Sequence, residues 1–281
     1  LVFIPLAVLV GPWVWPLDPQ ALDIRNKDLR PIYTALWDGE AKVSWGHPFG
    51  TDNLGRDQLA QMIVGGRASM AVGWAAMVLS LLIGTGIGVI AGFFRRLDGP
   101  LMRMTDLFLS LPQLPLLLLV IYLFREQLKA VFGVEGGVFI LIVVVIGGLR
   151  WMPVARLVRA QFLSLREKEF VEAARASGAG PLRIIGLHLL PNAMAPVVVQ
   201  MTFIFADAVL AEAALSLLGL GVVPPTASWG VMLGSGFKEI RSTPLLVFWP
   251  GVAIAVATLS FNLIGDGLRD ALGRRIRKAA P

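Results

Sequence analysis

Two carboxylates, Asp207 and Glu212, stand inside a long apolar run at 193–217. A charge at the centre of a bilayer costs ~2.5–3.5 kcal/mol on insertion scales, so such residues mark a solute path or find a partner. On a helix, residues five apart point about 140° away from one another, so the two cannot serve one point. Both are candidates for a substrate path. The alternatives are a helix–helix hydrogen bond and, for Glu212, a place near the outer interface. Other reactive chemistry is sparse. The chain has no cysteine, which removes disulfides, thiolate metal sites and cysteine nucleophiles. Its two histidines, His47 and His188, lie far apart and predict no metal site. Asp52 and Asp57 with Gly50 and Gly55 have a slight likeness to a calcium loop, but the alternation and the Glu at position twelve are missing. His47, just before Pro48, reads as structural. Gly84, Gly88 and Gly92 are spaced by four with Gly86 between them. No strand precedes them and no Lys-Ser/Thr follows, so they predict close helix packing rather than a phosphate loop. The chain holds no Gly-x4-Gly-Lys-Ser/Thr and no nucleophile–base pair, so no active site is predicted and any ATP is hydrolysed by another chain.

The elements that must hold these residues follow from the solvent. Apolar residues make up 56% of the 281 and charged residues 16%, against ~45–50% and ~25% in soluble domains. A helical span needs ~20 mostly apolar residues, and six candidates appear, at about 1–15, 68–94, 104–124, 137–157, 193–217 and 244–264. The first is short and opens on Leu rather than Met, which predicts missing upstream residues. Trp13, Trp15 and Pro16 follow it where a signal peptide would carry small residues, and they read as an interfacial belt. Pro112 and Pro115 fall in the third candidate, where they could kink the helix; kinks can serve gating, but proline is common in membrane helices and no gating role is predicted. With the N-terminus inside, most of the 25 Lys and Arg fall on the inner side, among them Arg95, Arg96, Arg103, Arg150, Arg156, Arg159 and the tail 274–278. That asymmetry predicts an N-in/C-in orientation and accounts for the net charge of +6 without nucleic acid. The expected fold is an all-α polytopic membrane protein with six transmembrane helices and a cytoplasmic helix pair. Its parts are a first span at 1–16, an extracytoplasmic segment at 17–65 and a transmembrane domain at 66–281 containing an inner loop at 158–192.

That inner loop is helical in character. Residues 169–177 are good helix formers up to Gly178, a left-handed stop, and Gly180-Pro181 begins a second helix predicted to break at Pro191. Phe170, Ala173, Ala174 and Ser177 recur at helical spacing and give a small, partly apolar face. Arg166, Lys168, Glu169 and Arg175 rim it with charge. From chemistry alone, a helix docked in the groove of a soluble partner and a helix pair packed beneath the membrane domain both fit.

The spacing of Glu172-Ala173-Ala174, Gly178 and Leu190-Pro191 resembles the EAA loop of binding-protein-dependent ABC importer permeases. His188 with Leu190-Pro191-Asn192 is similar to the dipeptide, oligopeptide and nickel branch of that family. Three more stretches fit it: His47 to Asp57; Leu210 to Gly221, continued by Val223-Pro224-Pro225-Thr226 and Ser228-Trp229-Gly230; and Phe261 to Asp270. They resemble the C-type subunit, and the resemblance is weakest over 32–45. It implies a permease that pairs with a homologous permease in the inner membrane to form half of a pore. It implies two ATPase subunits, which carry ATP-Mg while this chain binds no cofactor, and an extracytoplasmic binding protein that delivers the solute. The ATPase-coupling residues would be Glu172, Ala173, Ala174, Gly178, His188, Leu190 and Pro191. Peptides are the implied cargo, with nickel chelates or other small solutes as the alternative. An ion-driven carrier would need matching inverted halves, which are not seen, and a non-transporting assembly subunit is the remaining reading from another class.

Overall fold

The structure is a computed structural model that describes the backbone of residues 3–36, 38–39, 42–223 and 226–279, with side chains at all of these except 3–5, 9 and 272–279. Pro224, Pro225 and the side chains of the basic tail 274–278 lie outside the described residues. The described chain is helical: α1 Phe3–Val14, α2 Gln58–Phe93, α3 Arg95–Ser110, α4 Gln113–Phe132, α5 Val134–Gly148, α6 Met152–Leu165, α7 Glu169–Ala176, a turn α8 Pro181–Arg183, a π-helical stretch Ile184–Leu189, α9 Leu190–Leu217, α10 Trp229–Lys238 and α11 Leu245–Ala279. Among the described residues the only extended pairing is an isolated bridge between Thr51 and Asp57.

Three helices, Gln58–Phe93, Pro181–Leu217 and Leu245–Ala271, are long and apolar enough to cross a membrane. Two bent pairs bring the number to at most five. The predicted third span is one of these pairs. α3 and α4 meet at 89°, because Leu111 precedes Pro112 and takes an extended conformation (φ −75°, ψ 140°) that the following proline ring favours over the helical one. Pro112 therefore breaks the segment, a sharper bend than the kink its sequence allows. The predicted fourth span is the other pair, with α5 and α6 bent by 42° at a junction where Gly147 and Gly148 precede and Pro153 starts the next helix. α1, with 12 residues, is shorter than the ~20 that a span needs.

The predicted break at Pro191 is absent, and the helix runs through from Pro181 to Leu217. In an α-helix a proline ring collides with the carbonyl four residues before it. Here the wider π turn just ahead re-spaces those carbonyls, with the Leu190 N–H bonded to the Ile185 carbonyl, and the Asn192 amide donates to the His188 carbonyl at 2.6 Å.

The chain forms two compact units. The first comprises Leu1–Gly73, Ile121–Ile142 and Val209–Ser260. In it Asp57 caps α2 by accepting from the Ala60 N–H at 2.6 Å, and the buried Trp229 indole donates to the Met62 carbonyl at 2.9 Å. Asp57 also accepts from Trp15 and bonds His47 at 2.8 Å. Asp52 is taken up by the backbone N–H groups of Leu54 and Arg56 and by the Arg56 and Gln61 side chains. The motif at 47–57 is thus a self-bonded turn, and the described residues hold no cluster suited to a metal.

The second unit comprises Trp74–Val120, Val143–Ala208 and Phe261–Pro281. Trp151, Met152 and Ala155 of the α6 start form a core with Ile83, Ile87, Phe108 and Leu109. Gly84, Gly88 and Gly92 lie against α6: a Cβ on Gly88 would sit 2.7 Å from the Ala155 carbonyl, and one on Gly92 2.5 Å from the Phe162 Cβ. Phe205 and Phe261 stack at 3.7 Å. In this unit Asp98 pairs with Arg159, Asp106 with Arg156 and Asp207 with Arg150.

Overpacking a close helix contact costs ~1–3 kcal/mol. Gly88→Ala is expected to lower the thermal unfolding midpoint of the purified chain in detergent. Gly86→Ala, whose Cβ meets nothing within 4 Å, should leave it unchanged or raise it. Equal midpoints for the two variants would remove the close-packing account.

Candidate functional site

The loop at 158–192 is rooted in α6. Val158 and Phe162 are buried there. The Arg159 guanidinium forks onto Asp98, with one arm at 2.7 Å, and the Arg166 guanidinium donates to the Gly92 carbonyl at 3.1 Å. Three fixed points thus hold the end of α6 before the chain leaves it. Lys168 is extended and starts α7, whose first turn carries Glu169 and Glu172 and whose last carries Arg175. This order complements the helix dipole, each charge contributing ~0.3–1 kcal/mol at an exposed end.

An eight-residue helix is marginal by itself, so α7 needs an anchor. Val171 supplies it, with 0% exposure, as α7 packs on the π-helical stretch where Ile184 and Leu189 are also buried. The predicted stripe divides around this anchor. Ala174 turns half inward, while Phe170, Ala173, Ala176 and Ser177 stay exposed. Exposed apolar side chains continue beyond the turn at Leu182 (84%) and Leu187 (64%). Glu167, Lys168, Glu169, Glu172, Arg175 and Arg183 surround this surface and make no ion pair among the described residues.

The helix stop is a Schellman turn. Gly178 has φ +80°, its N–H bonds the Arg175 carbonyl at 2.9 Å, and the Ala179 N–H bonds the Ala174 carbonyl at 3.0 Å. Gly180 then caps a turn with Pro181 in its first positions. Glu172, Ala173 and Gly178 are therefore together on an exposed knuckle, with Ala174 at its edge. His188, Leu190 and Pro191 sit beyond it on the π stretch and the start of α9, with His188 and Leu190 half-buried and Pro191 exposed.

Asp207 and Glu212 have separate surroundings. Asp207 accepts from Arg150 at 2.9 Å and is about half exposed. Glu212 has 0% exposure and accepts from three hydroxyls, Ser216 at 2.7 Å, Ser69 at 2.9 Å and Ser228 at 2.9 Å. Ser69 in turn accepts from the Trp229 N–H and Ser228 from the Val231 N–H, each at 3.1 Å. This is a closed hydrogen-bond hub joining α2, α9 and the start of α10. The Val171 anchor, the π stretch and the Arg159–Asp98 brace are not in the sequence reading. The Val171 anchor had a signal, since on a helical wheel Val171 stands well apart from Phe170, Ala173 and Ser177.

A non-glycine residue at positive φ costs about 1–2 kcal/mol. Because nothing lies within 4 Å of a Cβ at Gly178, that backbone strain is the whole cost of Gly178→Ala. Amide exchange across 169–179 is expected to rise about tenfold or more in Gly178→Ala and less in Gly178→Asn. Unchanged exchange in Gly178→Ala would rule out the turn as what holds α7.

The family described as "Binding-protein-dependent transport system inner membrane component" matches residues 84–278. A putative peptide transport system permease protein of Brucella suis biovar 1 is 37% identical over 277 residues, which is 99% of this chain and 86% of that protein. The di/tripeptide transport system permease protein of Pseudomonas aeruginosa is 39% identical over 281 residues, 100% of this chain and 87% of its own length. The oligopeptide transport system permease protein of Bacillus subtilis is 38% identical over 279 residues, 99% and 84% of the two chains. Among solved structures, the MetNI methionine ABC transporter in an inward-facing conformation has a chain superposing with TM-score 0.57 at 20% identity, covering 75% of this chain and 95% of that one. At that identity the superposition shows a shared fold.

Proposed function

The chain belongs to the binding-protein-dependent transport system inner membrane components, and from that premise we propose that it forms half of the translocation pore of a peptide importer and receives the ATPase stroke on α7. The observation that carries the coupling role is the exposed, small-faced α7, held at its root by Arg159, Arg166 and Val171 and left with unpaired charges around its surface. Side chains as small as Ala173 and Ala176 let a partner approach the helix backbone closely, as a helix laid in a groove requires. Peptides as cargo rest on the names of the three relatives.

In this reading the chain spans the cytoplasmic membrane six times with both termini inside. α1 is the first span, and each bent pair is one span. A homologous permease completes the pore. Two ATPases bind ATP-Mg and dock on the two EAA loops, each through the residues at Glu172, Ala173, Ala174, Gly178, His188, Leu190 and Pro191. A binding protein delivers the solute outside, and the half-exposed Asp207 is the candidate beside its path, whereas Glu212 is closed in the serine hub. The segment 17–65 is extracytoplasmic, and the loop 158–192 cytoplasmic. ATP-driven closure of the ATPase pair would pull on α7. Because α7 is rooted in α6 and runs on into α9, the bundle would swing between inward- and outward-facing states as a rigid-body change.

Glu172→Lys reverses a charge at the positive end of α7 and Gly178→Asp strains the turn. Both variants are expected to insert normally and to lose most binding-protein-dependent, ATP-driven peptide uptake in proteoliposomes. Wild-type uptake by both would eliminate α7 as the coupling element.

A further inference from the structure

A cavity of about 350 Å³ lies where α4, the end of α9 and α10 meet in the first unit, lined by Arg125, Gly219, Val222, Val231, Ser235 and Lys238 among others. It carries two cationic side chains and no carboxylate. The guanidinium of Arg125 is pinned at one arm, where Nη1 donates to the Gly219 carbonyl at 3.1 Å. That carbonyl is held still because Gly219, at φ +78°, closes α9: its own N–H bonds Ser216 and the Leu220 N–H bonds Leu215. The Nε of Arg125 is buried and has no partner. A buried donor left without an acceptor costs ~1–3 kcal/mol. The Nε and Nη2 groups of arginine form the edge that takes a carboxylate by two parallel hydrogen bonds.

The nearby acids do not meet this need. Glu126, next in sequence, bonds Lys129 at 2.8 Å and does not line the cavity. Ser216 also lines the cavity, but its hydroxyl is committed to Glu212. Lys238 makes no ion pair among the described residues. It also borders a smaller neighbouring cavity containing Asp52 and Glu239, where Asp52 is held by Arg56. The volume is at the small end of the ~300–1,000 Å³ typical of ligand pockets, enough for one end of a short peptide.

We infer that this cavity receives the carboxylate of the transported solute, with the guanidinium of Arg125 meeting it from α4 and the ammonium of Lys238 approaching from α10. The inference rests on the reading of the chain as a peptide importer subunit, and it adds the chemical group by which the permease itself would hold the cargo.

The test uses the complete importer, two permeases with two ATPases, purified without binding protein and titrated by calorimetry with alanyl-alanine and with alanyl-alanine amide. The free acid should bind the wild type about ten- to a hundredfold more tightly than the amide, the range expected for charge-assisted hydrogen bonds. Arg125→Gln should abolish this preference by weakening the free acid far more than the amide, and Arg125→Lys should restore part of it. Lys238→Gln should weaken it less. Equal binding of acid and amide by the wild type, binding of neither, or a full preference kept in Arg125→Gln would each overturn the assignment. A further contrary result is a variant that keeps the preference but loses ATPase stimulation by loaded binding protein, which would give the cations to an acidic side chain of that protein. Peptide uptake by the wild-type importer with its binding protein is measured in parallel. If uptake is intact and the preference absent, the carboxylate site alone fails, whereas no peptide uptake at all would overturn the importer reading beneath it.

Discussion

Helix α6 can bear on α2 only because three successive turns of α2 lack a Cβ on the facing side. At Gly84, Gly88 and Gly92 the α6 backbone and the first carbons of Val154, Val158 and Phe162 come within 2.5–3.1 Å of where a Cβ would stand. In lipid there is no hydrophobic gain from bringing two apolar helices together, so association depends on close packing and on hydrogen bonds. The glycine face supplies the first. The Arg166 contact with the Gly92 carbonyl and the Arg159 fork onto Asp98 supply the second at the same end of α6. The position of α7 follows from this, because three residues separate the end of α6 from the start of α7. A short helix on so short a tether moves with its root.

The same economy governs charge. Asp98, Asp106 and Asp207 each meet an arginine. Around α7 the arrangement is the opposite. Its charges are left unpaired and its apolar residues exposed, while the anchoring valine is buried completely. A surface that spends its polar groups on no internal contact is suited to receive another protein.

Much of this was legible from residue types, because the relevant signals are local. Gly178 as a left-handed stop, Gly180-Pro181 as a helix start and the Gly84–Gly92 spacing each depend on a few neighbouring residues, and each takes the expected conformation or contact. The misses depend on what lies outside the window. Pro112 and Pro191 are both prolines in apolar runs, yet one breaks its helix and the other does not. Leu111 has already left the helical region ahead of Pro112, while a π turn widens the ladder before Pro191. The partition of Phe170, Ala173 and Ala174 was likewise hidden, since it is set by where Val171 finds a cover. That cover comes from Ile184 and Leu189, beyond the turn.

Glu212 shows how far a buried carboxylate can be supported without a cation. Its three donors are hydroxyls, and their direction is forced from behind. Ser69 and Ser228 each already accept a backbone N–H, from Trp229 and Val231, so their own hydrogens are free to point at the carboxylate. Ser228 is also the N-cap of α10, and the N-terminus of a helix carries about half a positive charge. The serine therefore relays the helix end to Glu212, and the carboxylate in turn fixes where α10 begins. Gly230 must lack a side chain for the same reason, since a Cβ there would lie 2.6 Å from that of Ser216. With its start held by the hub, α10 has only a turn or two of freedom before Ser235 and Lys238, so the buried acid at one end of this helix sets the reach of the free cation at the other.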